Sequence, residues 1–432
     1  MVTIENSTLV FTFPEVHTSL RAALENKIKS IKPQFQLPAD RSTLYPRLGP
    51  RSRFTSSQFS LYEASEDNPE WFLNLTQSRI DNELRDRVLR FLPSVPPSLR
   101  ISFQRTLRVP DDGNDYPLPA GLGKFPLRNI DNYAERLDSV STKRGGVMLP
   151  MYQSEALWLN FDSEYPFALK IGAGKTSAIT SKQWQKGLTT APQDYLAVPD
   201  QPWIDGFCVQ PGVVKQFVAA QLGSGCTIEE QIAGTADVGG IQLECFPMHA
   251  ARWVEGEMEK LSFETLEDLL VELYEEDHPK PAPVVADAQR CFSMACPASP
   301  MGLGAGGRIK QEIYADEYGI EAWESSRPQR CFVHIFNSMR WREVTSENPP
   351  HPPMTQREYK RTGIPWFDYY RDDLKPLPGS DKLAEAKSVQ TVLGTLGGLP
   401  PDESMEPQLI VQYGNARRPE VVREFDEEIS NN

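Results

Sequence analysis

Apolar and polar positions along the chain fall into two rhythms, one of period two and one near 3.6, and each predicts a kind of element. Ser7–Phe13 (STLVFTF) alternates and is rich in β-formers, which predicts a strand. Within Leu20–Ile31, Leu20, Leu24 and Ile28 lie four apart and predict a helix. A second helix is expected over Ser78–Leu92, with Ile80, Leu84, Val88 and Phe91 as its apolar stripe. Ser78 caps it and Pro93 ends it. Alternation returns in Leu99–Val109 through Ile101, Phe103 and Leu107, and Pro110-Asp111-Asp112-Gly113 turns the chain.

From Gly146 to Met248 short β-rich runs recur with turn residues between them: Ala156–Phe161, Phe167–Ile171, Tyr195–Val198, Gly206–Val209, Val213–Leu222 and Gly240–Phe246. Amphipathic crossover helices of the length a parallel sheet needs are missing from this stretch, so antiparallel pairing is expected. Thr227-Ile228-Glu229-Glu230 spells a capping box for one short helix. Leu261–Tyr274 predicts a further helix with an acidic outer face, and Pro279, Pro281 and Pro283 form a stiff linker after it. Beyond it, Cys331–Phe336 (CFVHIF) and Leu409–Tyr413 predict strands, and Tyr359–Tyr370 a packed aromatic stretch. The expected fold is mainly β (α+β), with an antiparallel β-sandwich-like core and a few peripheral helices. The expected segments are 1–98, a central β domain at 99–255, an acidic helix and linker at 256–286, a β-containing segment at 287–375 packed on the core, and a polar tail at 376–432.

Composition narrows the classes. Apolar residues make up 39% of the 432, too many for a disordered chain, and six scattered cysteines do not make a disulfide scaffold. A net charge of −14 repels phosphate backbones, so nucleic acid is not an expected partner. No apolar run reaches the roughly 18 residues that a membrane-spanning helix needs. With Glu5 early and no basic leader, the expected location is cytoplasmic, with reduced cysteines.

Four patterns suggest chemistry, and each has a structural alternative. Gly172-Ala173-Gly174-Lys175-Thr176 ends like a phosphate-binding loop, but Leu169 stands where its first glycine is needed, so a turn between strands explains it. Gly302–Gly307 matches G-x-G-x-x-G without the strand–helix frame, and reads as a glycine loop. Its Gly304, Gly307 and Arg308 are candidates for holding an anion. Cys245, His249, Cys331 and His334 make a Cys2His2 set suited to zinc. Residues three apart on a strand face opposite ways, so Cys331 and His334 need a bulge to converge. His249 and His334 are also the candidates for acid–base catalysis, since His278 and His351 sit in exposed proline-flanked stretches. Finally, Trp158 with Asn160 and Asp162, Trp203-Ile204-Asp205 and Trp366–Tyr370 set rings beside acids. Such surfaces hold sugars or cations, although core packing is the simpler account at 10% aromatic content.

Phe103–Gly113 (FQRTLRVPDDG), Met151–Phe161 (MYQSEALWLNF), Gln201–Phe207 (QPWIDGF), Cys331–Ser338 (CFVHIFNS) and Gly363–Tyr370 (GIPWFDYY) resemble phrases of an uncharacterised microbial protein family, over most of 99–375. The resemblance implies no activity, fold or site residue. No catalytic pattern passes its context test, so the expected function is a soluble binding or scaffold protein. Its ligand would be an unidentified small molecule, a sugar or a protein partner. The alternative is an enzyme of unrecognised type, zinc-dependent or hydrolytic, with a cleft between the central and C-terminal units.

Overall fold

The computed structural model describes residues 1–31, 96–137, 139–236, 239–260, 300–395, 402, 404–414 and 423. The helices expected at Ser78–Leu92 and Leu261–Tyr274 and the linker at 279–283 lie outside these residues. The chain divides into two compact units. One comprises Met1–Thr12, Ser98–Met248 and Lys280–Asn432; the other comprises Phe13–Pro97 and His249–Pro279. In the second unit the Pro14–Ile31 helix buries Leu20 and Leu24 of the stripe expected there, with Val16 one turn before them, and it packs beside the Ala250–Lys260 helix.

The first unit is mainly β, and its major strands form one large, mostly antiparallel sheet. In chain order they are β1 (Val2–Glu5), β2 (Thr8–Thr12), β3 (Ser98–Thr106), β4 (Val147–Met151), β5 (Ala156–Asp162), β6 (Phe167–Ala173), β7 (Leu196–Val198), β8 (Trp203–Ile204), β9 (Gly206–Gln210), β10 (Val213–Gln221), β11 (Ile241–Pro247), β12 (Met301–Lys310) and β13 (Gln329–Asn337). Pairing follows two series. In the first, β1, β2, β3, β5, β10 and β12 lie side by side, every neighbour antiparallel. In the second, β7, β6, β11 and β13 are antiparallel, and β4 then joins β13 in parallel. A single pair, Met301 opposite Ile335, joins the two series.

Alternation along each strand explains what is buried. In the first series Ile101 lies opposite Phe161 and Phe103 opposite Leu159, all within the core. In the second, Leu169 faces Cys245, Ile171 faces Leu243, and Leu243 faces Cys331. Each large apolar side chain removed from water contributes roughly 1.5–3 kcal/mol. A sheet of this size buries both rows only by curling or by splitting into packed layers. The other face of the first series is also covered: Ala156, Val218 and Ala220 pack with Cys226 and Val389, the last from the Val389–Thr395 helix.

Three expectations change in detail. The 99–255 and 287–375 segments contribute strands to the same sheet, because β12 pairs with β10 and β13 with β11. Tyr359–Tyr370 separates into the Gln356–Thr362 helix and a Trp366–Tyr370 strand, which pairs with Leu118–Pro119 and Ile410–Gly414 in a small second sheet. Most consequentially, Gly302–Gly307 is not a loop but the middle of β12. A Cβ at Gly304 would stand 2.5 Å from the Cys226 carbonyl oxygen, and one at Gly307 2.1 Å from that of Pro110. The glycines admit backbone at close range, a packing role that also suits a strand.

Candidate functional site

Strand alternation that sends Leu169, Ile171, Leu243, Cys245 and Cys331 into the core sends their neighbours to the opposite face. There Lys170 of β6, Glu244 of β11 and Arg330 of β13 stand directly opposite one another, a charged row across three adjacent strands. Lys170 and Glu244 are buried, 1% and 5% exposed, while Arg330 is exposed and opens the row to solvent.

The segment following β6 covers this row. Trp184 donates its backbone N–H to the Lys175 carbonyl at 2.7 Å, and its ring lies so close over Gly172 that a Cβ there would be 2.6 Å from it. Lys170 Nζ lies 5.0 Å and the Arg330 guanidinium 5.4 Å from the Trp184 ring centre. Lys170 is fully engaged: its Nζ donates to the Gln185 carbonyl at 2.7 Å and to the Gly187 carbonyl, and pairs with Asp194 at 2.9 Å. Arg330 donates to Gln242 Oε1 at 3.1 Å.

Glu244 sits between these cations without a direct bond to either. Its Oε2 is buried with no hydrogen-bond partner among the described residues, and the same holds for Trp184 Nε1. Burial pushes the Glu244 carboxyl above its ordinary value, although the nearby Arg330 and Lys170 charges act against that rise. An unpaired buried carboxyl oxygen carries a desolvation penalty that a bonded guest would remove. Sequence reasoning missed this row. Its signal was one lysine, glutamate or arginine within each of three strands, and it depends on a register that no local pattern discloses.

The residues singled out from the sequence are placed otherwise. Cys245 and Cys331 share the apolar face, and burial pushes the Cys331 thiol up to about 12 and the Cys245 thiol well above its usual value. Each thus packs as a small hydrophobe in the apolar face. His334 lies on the opposite face of β13 from Cys331, between Phe332 and Phe336, with Nε2 3.1 Å from the Gly145 carbonyl. No bulge brings the two together. His249 belongs to the second unit, at the start of the Ala250–Lys260 helix. No group of three or more His, Cys, Asp or Glu among the described residues is arranged to hold a metal ion.

For the anion candidates, Gly304 and Gly307 are strand residues, and Arg308 is ion-paired with Asp115. The turn at Gly174-Lys175 has its donors taken already. Glu229, 2% exposed, accepts from the Lys175 N–H at 3.1 Å and from the Gly239 N–H at 2.9 Å. A carboxylate of the chain itself thus fills the place a phosphate would need.

No known protein family, no curated protein and no solved structure matches this chain.

Proposed function

We propose that the protein binds a small polar molecule at the Lys170–Glu244–Arg330 row beneath Trp184, without catalysing its conversion. The observation that supports this is the buried Oε2 of Glu244, without a hydrogen-bond partner among the described residues. Such a group asks for a hydrogen-bond donor, and Trp184 Nε1 beside the row offers a donor in return. A guest with both a donor and an acceptor, a sugar or another polyhydroxylic or amide-bearing molecule, meets both needs. Four buried cysteines, Cys208, Cys226, Cys245 and Cys331, are free, which supports a reducing cytoplasmic location. No described helix is long and apolar enough to cross a membrane.

The test is a melting-temperature screen of the full chain against sugars, nucleotides, amino acids and amides, since a ligand of the native state stabilises it by mass action. We expect a saturable rise with one class, weakened at least tenfold in affinity by Glu244→Gln and by Trp184→Ala but unchanged by Arg308→Ala. A panel without effect on the wild type, or hits indifferent to both site variants, would overturn the proposal. The raised carboxyl of Glu244 favours one second reading, proton transfer to a bound substrate. Turnover of a hit compound, lost in Glu244→Gln with binding retained, would select it.

A further inference from the structure

A second constellation, separate from the Glu244 row, lies on the covered face of the first series. Asp205 follows β8 and is wholly buried. Its backbone N–H donates to Gln311 Oε1 at 2.9 Å, and its carbonyl accepts from the Phe217 N–H at 2.9 Å. Gln311 Nε2 also lies 3.3 Å from Asp205 Oδ1. The carboxylate is thus aimed by residues of β8, β10 and the end of β12. Trp158 of β5 and Trp203 of β8 flank it edge to face, their ring centres 6.3 Å apart, and Trp203 packs on Tyr369 at 4.9 Å.

Into this cage comes one side chain from far along the chain, Arg423. Its two terminal nitrogens donate to Asp205 Oδ1 and Oδ2, each at 2.8 Å. One of them donates also to the Pro119 carbonyl at 2.6 Å. The guanidinium carbon Cζ lies 4.2 Å from the ring centre of Trp158 and 5.3 Å from that of Trp203. Both partners of the ion pair are fully enclosed. Arg423 Nε has no partner among the described residues, and neither does Trp158 Nε1. Recognition therefore runs through the terminal fork and the ring faces, features that every alkylguanidinium shares. A bidentate carboxylate with stacking rings matches a planar guanidinium and fits a compact ammonium poorly.

We infer that Asp205, Trp158, Trp203 and the Pro119 carbonyl form a guanidinium-binding site, which the protein's own Arg423 occupies as a tethered ligand. The receptor residues lie between 119 and 311 and hold one another without Arg423, so the site can take a free guanidinium when that side chain is removed.

The experiment uses full-length Arg423→Ala, titrated with methylguanidinium at millimolar, non-denaturing concentrations, and methylammonium at matched ionic strength. Melting temperature and tryptophan fluorescence are the readouts. We expect the variant to melt below the wild type and methylguanidinium to recover much of the loss saturably, with at least a tenfold preference over methylammonium. The wild type, its site filled, should not respond, and neither should Asp205→Asn/Arg423→Ala. Equal responses to the two cations, a response that persists in the double variant, or an equal response of the wild type would each overturn the inference. Should Arg423→Ala fail to fold, it is expressed and refolded with either cation present. Recovery of folded protein with methylguanidinium alone supports the site; recovery with neither cation, or with both equally, rejects it.

Discussion

Because burial raises the Glu244 carboxyl, the folded protein holds that proton to a higher pH than the unfolded chain does. Between the ordinary glutamate value and the raised one, the native state binds more protons, so stability falls as pH rises through this window and levels off above it. Glu244→Gln removes the effect. We expect its denaturant midpoint to gain on the wild type as pH rises from about 4.5, the ordinary value, toward neutrality; parallel curves would contradict the burial of this group. A variant that stabilises the fold while weakening binding is what the proposed site, held against its own solvation, should give. Asp205 acts the other way. Its loss strands Arg423 inside the protein, so Asp205→Asn should cost about 3–5 kcal/mol in urea unfolding. Removing Arg423 as well should cost less than the sum of the two single changes. The sequence shows the rings and the acid of this cage at Trp158, Trp203 and Asp205, a ring-and-acid pattern suited to cations. It does not show the guest. Arg423 lies in the polar tail expected over 376–432, and no local periodicity marks a residue destined for the core.

At the scale of the element, legibility follows the range of the forces involved. The Thr227 capping box forms as spelled, its hydroxyl accepting from the Glu230 N–H and Glu230 accepting from the Thr227 N–H. Thr227→Ala should therefore cost about 1 kcal/mol in thermal or chemical unfolding. Strand β12 is the opposite case. Glycine has low β-propensity and high backbone entropy, so four glycines among ten residues read as a loop. What overrides propensity is close packing by Cys226, Val389 and Pro110, contacts set by distant parts of the chain. Gly307→Ala should thus destabilise the fold by about 1–3 kcal/mol or more, as overpacking does. At Gly256, in the Ala250–Lys260 helix, nothing lies within 4 Å of an added Cβ. Gly256→Ala should stabilise by about 0.5–1 kcal/mol through helix propensity. Equal responses at the two sites in denaturant titrations would remove the packing account of β12.

For the whole molecule, alternation disclosed that the sheet exists but not which strands meet. Six-residue runs look alike to a pattern reader, whereas their pairing is decided by register and by what covers each face. The order β10–β12 and β11–β13 binds residues before 248 to residues after 300. A chain cut at residue 299 would leave β10 and β11 each with an open edge, and such edges pair with other molecules. We expect the 1–299 fragment to run as aggregate by size-exclusion chromatography, where the full chain does not. The parallel pairing of β4 with β13 carries this dependence into synthesis. Pro150 must wait for Phe336, about 190 residues later, before the two can pair. At roughly 5–20 residues per second that is about 10–40 s on the ribosome. Throughout that interval the apolar side of β4, with Val147 and Leu149, has no partner strand from β13, so the nascent chain is a natural client for a holding chaperone.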